Sequence, residues 1–319
     1  MGETKKQTHR IKISGRVVAV FAALMAIAVI AALFVIPQYG KTVSSYREQR
    51  SLYKTAAGEL EAAQTSNSEL TARLEEMQTM AKETEDLQKD VFKLAASLEK
   101  DIQDGKSAKR ICYITVDDGP YNRGNEFLKL FRKYDVKATF FLTTANGDKL
   151  PDKGELSARS MYPEYLKYGH TIGNHTYSHN YSSGGVYSSA DAFMESVNEQ
   201  TEFTKEATGG YEPDIVRLPG GISMAGSELE AIEESMRKAG YGWIDWTVDS
   251  GDSWGDNNIT VKKIKQNVLD AAGEQKIMVV LFHEWSGKTL KAMPDIIEKL
   301  EERGYIFLPL FKDSVMVNK

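Results

Sequence analysis

The sequence predicts an α/β protein, an irregular (β/α)7 barrel preceded by a transmembrane helix and a long helical spacer compatible with a coiled coil. Three stretches lead to that reading. Val17 to Ile36 is about twenty apolar residues without a charge, enough to cross a bilayer as a helix. Residues 41–104 are rich in Glu, Lys, Ala, Gln and Leu and contain no Pro, as a long helix would. Beyond Gly105, short apolar runs alternate with amphipathic helical patterns, which implies a parallel sheet with helical crossovers. A flat doubly wound sheet is the alternative.

Lys5, Lys6, Arg10, Lys12 and Arg16 make residues 1–16 a basic head, which the positive-inside rule assigns to the cytoplasm. The anchor over 17–36 would then place the rest of the chain outside, as a single-pass protein of the cell membrane. A cleaved signal peptide is the competing reading, but the apolar run ends in Pro37-Gln38-Tyr39 without a small-residue cleavage site. In the spacer, Ala56, Leu60, Ala63, Asn67, Leu70, Leu74, Met77 and Ala81 follow a 4-3 spacing that Leu87, Val91, Leu94 and Leu98 resume after a slip. Three alanines and Asn67 weaken that seam, so a solvated single helix and a homodimer through the stalk both fit. At ~1.5 Å per residue a helix of this length would reach on the order of 90 Å.

A domain over 106–319 follows. Its expected strands are Ile111 to Val116, Ala138 to Leu142, His170 to Gly173, Asp214 to Leu218, Gly242 to Val248, Ile277 to Phe282 and Ile306 to Leu310. Ser227 with Glu230 predicts a capping box, Gly240 a helix stop, and Pro294 the start of a last helix ending at Gly304. The net charge of −5 and pI near 5.7 argue against nucleic acid as a partner. With one cysteine, Cys112, no intrachain disulfide or cysteine-based zinc knot is available.

Chemistry concentrates after the expected strands. Asp117 and Asp118 sit between an apolar run and Gly119-Pro120; adjacent carboxylates repel unless a cation or proton separates their roles, although the composition also suits an ordinary turn. His175 and His179 are four apart, which on a helical turn puts both on one face, suited to one metal ion. Arg217, Asp249 and His283 end three further strands, and in parallel α/β folds the strand C-termini carry the chemistry. His170 stands at a strand start and reads as structural. Trp254 and Trp285 fall in loops where flat faces suit sugar rings, with core packing as the rival role.

Five stretches in order, Thr115-Val116-Asp117-Asp118-Gly119-Pro120, His175-Thr176-Tyr177-Ser178-His179, Arg217-Leu218-Pro219-Gly220-Gly221, Trp246-Thr247-Val248-Asp249-Ser250-Gly251-Asp252 and Val280-Leu281-Phe282-His283, resemble the motifs of the NodB-homology domain of polysaccharide deacetylases, carbohydrate esterase family 4. The resemblance implies a metal triad of Asp118, His175 and His179, holding Zn²⁺ foremost, or Co²⁺ or another first-row ion. It further implies Asp117 as general base, Arg217 as its orienting cation, His283 as general acid and Asp249 as the group that orients it. Pro219 and Gly220 would supply the oxyanion site. Four residues depart from the family pattern: Val116 for Phe, Gly220 for an aromatic after Pro219, Ser253 between Asp252 and Trp254, and Glu284 for Asp after His283.

The expected function is metal-dependent removal of N-acetyl groups from a cell-envelope polysaccharide, with peptidoglycan N-acetylglucosamine first. Poly-N-acetylglucosamine and O-acetyl xylan are alternatives, and a non-catalytic glycan-binding scaffold is the alternative class.

Overall fold

In the computed structural model, residues 15–149, 155–182, 184–255, 259–273 and 275–318 are described. Residues 1–14 of the basic head expected over 1–16, His9 included, lie outside them. The chain forms two compact units, Met1–Leu74 and Glu75–Lys319. In the first, helix α1 (Gly15–Gln103) turns Leu24, Met25, Ile27, Ile30, Leu33 and Phe34 outward. It is the one helix among the described residues long and apolar enough to cross a membrane, with mean hydropathy 2.1 over its most apolar window. Leu60, Leu70 and Leu74 of the expected seam are exposed; the side chains of Met77, Ala81 and Leu87 lie outside the described ones.

The second unit is built on parallel strands β1 (Arg110–Gly119), β2 (Thr139–Leu142), β3 (Thr171–Asn174), β4 (Ile215–Val216), β5 (Gly242–Trp243), β6 (Val248–Asp249), β7 (Ile277–His283) and β8 (Tyr305–Phe307). Their order is β5-β4-β3-β2-β1-β7-β6, with β8 alongside the start of β1. The single strand expected from Gly242 to Val248 is therefore two strands on opposite edges, joined only by Ile244 to Thr247. Flat, those edges would stand ~29 Å apart at ~4.8 Å per strand. The chain from Trp243 to Val248 reaches at most ~18 Å. The sheet must curl almost shut, which decides for the incomplete barrel over the flat alternative.

Strand alternation separates two apolar layers. Cys112, Ile114 and Val116 of β1 face outward to the helices, packing with Phe127 and Phe131 of α2 (Gly124–Lys133), Ile264 of α6 (Val261–Ala271) and Ile296 of α7 (Gly287–Glu302). Ile111 and Tyr113 face the barrel interior with Phe141 and Val279. Helices α3 (Glu155–Lys167), α4 (Ala190–Thr208) and α5 (Leu229–Ala239) complete the outer ring. Cys112 is fully buried, and burial pushes its thiol up, as expected of a small core residue. Two local signals read differently in the structure. No Ser227 cap forms, because a 3-10 segment over Ile222–Glu228 kinks at Gly226 and α5 starts at Leu229. Pro294 lies inside α7, whose start is capped by Ser286 accepting from the Thr289 N–H.

The end of α1 belongs to this unit. Ala95 and Ile102 join the interior layer, and Phe92 stacks on Phe311 at 5.4 Å. Glu99 is 1% exposed, yet its carboxylate accepts from Tyr113 Oη at 2.8 Å, Ser314 Oγ at 2.6 Å and the Val315 N–H at 3.1 Å. The last turns of the expected spacer thus close the floor of the barrel. Each donor left without a partner in a buried setting costs about 1–3 kcal/mol. Glu99→Ala is expected to lower stability by on the order of 3 kcal/mol, read as a fall in the urea midpoint of the sheet-containing unit.

Candidate active site

Two adjacent carboxylates on a regular strand would point to opposite faces. Here β1 pairs with β2 in register up to Asp117↔Phe141 and then slips, so that Gly119 faces Leu142. The extra residue is Asp118, at φ 70°, a left-handed conformation that Asp tolerates. The bulge re-aims its side chain to the mouth. His175 Nε2 consequently lies 3.7 Å from Asp117 Oδ2 and 3.6 Å from Asp118 Oδ1.

Arg217, just past β4, is fully buried in the barrel interior. Its Nη1 donates to Asp117 Oδ1 at 2.8 Å and Thr115 Oγ1 at 2.6 Å, its Nε to the Ile244 carbonyl at 3.2 Å, and its Nη2 to the Asp245 carbonyl at 2.9 Å. The guanidinium lies 4.2 Å from the centroid of Phe141. A buried charge held by four hydrogen bonds and an aromatic face is fixed rigidly.

His175 and His179 converge, but not on a helix. Thr176 at φ 62° and His179 at φ 46° form a left-handed turn, pinned by Asn174 Oδ1 accepting from the Thr176 N–H at 2.8 Å and Ser196 Oγ accepting from the Tyr177 N–H at 3.0 Å. The helical turn expected from the spacing is replaced because these polar side chains capture the backbone donors. Asp118 Oδ1 is 3.1 Å from His179 Nε2, and one ligand atom from each of Asp118, His175 and His179 lies within 4.8 Å of the others. His175 Nδ1 is 2.7 Å from the Arg217 carbonyl and must donate to it, which leaves the Nε2 lone pair facing two carboxylates. Burial lowers this imidazole to about 4, against the pull of Asp117, so it is neutral. A lone pair and carboxylates converging on one point suit a cation, and the carbonyl behind the ring is the usual support of a metal-bound histidine. Burial opposes ionisation of Asp118, yet the His179 hydrogen bond and the neighbouring imidazoles hold it well below the usual carboxylate range.

Across the mouth, His283 Nδ1 is 2.7 Å from Asp252 Oδ1, and the His283 N–H donates to Asp252 Oδ2 at 2.9 Å. Asp249 does not reach the imidazole as expected. Its Oδ1 accepts from the Gly251 N–H at 2.7 Å, closing the turn after β6, and its Oδ2 accepts from Trp254 Nε1 at 3.1 Å. The turn carries the chain on to Asp252, which is 3% exposed and takes the partner's place. Burial disfavours the His283 cation, but the hydrogen bond and charge of Asp252 outweigh it and raise the group to about 9.

Residues 104–243 match the family model for polysaccharide deacetylase. The chain is 31% identical over 210 residues to a peptidoglycan-N-acetylglucosamine deacetylase of Bacillus cereus, covering 65% of this chain and 71% of that one. It belongs to the polysaccharide deacetylase family. The catalytic domain of a peptidoglycan N-acetylglucosamine deacetylase from Eubacterium rectale superposes with a TM-score of 0.59 at 31% identity, covering 66% of this chain and 92% of that one. A polysaccharide deacetylase from Bacillus cereus superposes at 0.55 and 29% identity, covering 65% and 94%.

The remaining candidates of this deacetylase fall at the same mouth. Gly220 is at φ 74°, and among the described residues its N–H has no hydrogen-bond acceptor; the Pro219 carbonyl before it accepts from Tyr187 Oη at 2.8 Å. Trp285 lies 5.3 Å from His283 and donates from Nε1 to Asp118 Oδ2 at 2.9 Å, so its indole forms an apolar wall beside the imidazole. Trp254 is 51% exposed. His170 is structural, buried among Phe131 and Phe140 with Nδ1 accepting from the Ala138 N–H.

The sequence reading assigned no role to two buried side chains. Thr289, on α7, donates from Oγ1 to Asp252 Oδ2 at 2.6 Å. Glu284, fully buried, accepts from the Tyr121 N–H at 2.6 Å and Tyr165 Oη at 2.8 Å, which fixes the loop beyond Asp118. A Cβ on Gly119 or Gly124 would come within 2.6 Å of that carboxylate, so the longer acid and the two glycines are matched. Burial pushes Glu284 up to about 7. A nearby Asp-rich loop would be the only hint of Thr289; Glu284 was visible as a departure from the family pattern.

Because His283 titrates above its ordinary 6.5, the stabilisation from its pairing is full below about pH 6.5 and is lost as pH rises through about 9. Asp252→Asn is expected to drop the imidazole to or below its ordinary value, while Asp249→Asn leaves it raised, as read by NMR titration of the ring.

Proposed function

We propose that this enzyme is a metal-dependent N-deacetylase of a cell-envelope glycan, with peptidoglycan N-acetylglucosamine as substrate. The observation that carries the reading is one mouth with two chemically opposite sides: an Arg-held carboxylate beside a three-ligand cluster, and a raised imidazole backed by a buried Asp. A divalent cation, Zn²⁺ foremost, held by Asp118, His175 and His179 would supply Lewis acidity toward the acetamide carbonyl and acidify a water.

Asp117, held and aimed by Arg217, takes the proton of the attacking water. The Gly220 N–H, which has no acceptor among the described residues, would donate to the oxyanion that develops on the carbonyl. His283, protonated at neutral pH, gives its proton to the departing amine as the C–N bond breaks, and Asp252 holds the ring in the donating orientation. Acetate and a free amino sugar leave. The apolar segment of α1 serves as a single-pass membrane anchor with the catalytic unit on the outer side, where its substrate lies; the outward-facing leucines and isoleucines support this.

The test is acetate release by the full chain in detergent, given purified peptidoglycan, after chelation and after return of Zn²⁺ or Co²⁺. Activity should vanish on chelation and return with metal, and Asp117→Asn should lower kcat by about 10²–10⁴-fold. Metal-loaded enzyme that releases no acetate from peptidoglycan or any other N-acetylated glycan overturns the proposal. Thr289→Val is expected to reduce acetate release from an amide more than from an aryl acetate, whose leaving group needs no proton, because Asp252 loses one of its two anchors.

A further inference from the structure

Leu218 to Gly221 form the turn that carries the candidate oxyanion donor. The Gly221 N–H closes it onto the Leu218 carbonyl at 2.9 Å, with Pro219 at its second position and Gly220, at φ 74°, at its third. That is a type II turn. A type I turn keeps the same closing bond and the same proline, and differs by a rotation of the central peptide through about half a turn. The peptide that rotates is Pro219–Gly220, whose N–H is the donor in question.

Nothing in the turn itself holds that peptide. Glycine populates positive and negative φ about equally readily, and proline fixes only its own φ. The ends are anchored elsewhere. Before the turn, the Arg217 N–H donates to the Asn174 carbonyl at 2.9 Å. After it, the Ile222 N–H donates to both carboxylate oxygens of Asp245, at 3.2 and 3.1 Å, and the Asp245 carbonyl is itself held by Arg217. Both anchors survive a rotation of the central peptide. Among the described residues, the contact that would not survive is the hydrogen bond from Tyr187 Oη to the Pro219 carbonyl at 2.8 Å.

Tyr187 lies in a short 3-10 segment, Val186–Ser188, beyond the His175–His179 turn. Its ring stacks on Phe193 at 5.9 Å and 12° and packs against the apolar cluster that includes Val186 and Leu218. Burial and the charge of Asp245 push the phenol well above its ordinary range, so the hydroxyl stays a donor. The Pro219–Gly220 peptide is trans, so its N–H points away from the hydroxyl that its carbonyl accepts. A hydrogen bond accepted at the carbonyl also polarises the peptide and strengthens donation by its N–H.

We propose that Tyr187 is a positioning residue for the deacetylation: its hydroxyl holds the Pro219–Gly220 peptide in the orientation that offers the Gly220 N–H to the oxyanion. It acts through the peptide and needs no contact with substrate or metal. The inference deepens the proposed N-deacetylase function and rests on it.

The experiment compares the full chain in detergent with Tyr187→Phe, which keeps the ring on Phe193 and removes only the hydroxyl. Pro219–Gly220 is the one Pro-Gly bond in the chain, so isotope labels at proline carbonyls and glycine nitrogens give a single NMR cross-peak from it. In the variant the carbonyl signal should move upfield, with Tm little changed. With Zn²⁺ restored, kcat should fall about tenfold, short of the ~10²–10³-fold that follows outright loss of an oxyanion donor, and KM should hold. The fall should be equal for an N-acetylglucosamine hexamer and an aryl acetate, because both pass through an oxyanion whatever group departs. An unmoved cross-peak, an unchanged kcat or a loss confined to KM overturns the assignment. If the wild type cleaves the aryl acetate but no N-acetylated glycan, the N-deacetylase reading fails, and the cross-peak with the ester rate still decides on Tyr187. A wild type inactive on both overturns both readings.

Discussion

The buried ion pair of Arg217 and Asp117 is the constraint on which the catalytic unit depends. Taking both charges out of water costs several kcal/mol per ion unless the remaining donors are satisfied. Arg217 satisfies them with Thr115 from the central strand and with the carbonyls of Ile244 and Asp245, which lie in the short bridge between the two edges of the sheet. The guanidinium can be paired only if the barrel is curled enough to bring that bridge over the end of β1. Closure of the fold and alignment of the candidate base are therefore one condition.

Much of this was legible in the chain. Ile111 to Val116 and Ile277 to Phe282 read as buried strands because both faces of their alternation are covered, one by helices and one by the interior. The five motifs located the mouth. What escaped depends on where the backbone turns. Gly242 to Val248 looks like one strand because its apolar character continues through Ile244 and Trp246, yet those residues leave the sheet to cross its opening. Asp249 and Asp252 are both acids after a strand, and only the Gly251 turn decides which one reaches His283. The bulge at Asp118 is equally silent in composition. Glu99 read as one more charge on a solvated helix, because its three partners lie at Tyr113, Ser314 and Val315.

Buried acids outside the reacting centre recur in this unit. Glu99 closes the floor, and Glu284 braces the loop that follows the paired carboxylates. Each accepts from a tyrosine hydroxyl and a backbone N–H, so each ties a side chain to a stretch of chain that would otherwise choose among conformations. The site is rigid because satisfied carboxylates support it from below and from the side.

Strand β1 pairs with β7 along one side and, along the other, with β8 at its start and β2 at its end, and every pairing is parallel. Its first neighbour follows within a few turns of chain, whereas the others arrive only near the C-terminus. During synthesis this strand, already carrying both carboxylates, waits with an open edge until nearly the whole polypeptide has emerged. Contacts so distant in sequence make folding slow. A prematurely terminated chain lacking the last fifty residues would lose β7 and with it the strand's second partner. Such a fragment has no partial function to retain, and quality-control proteases and chaperones would meet this protein chiefly as an unclosed sheet.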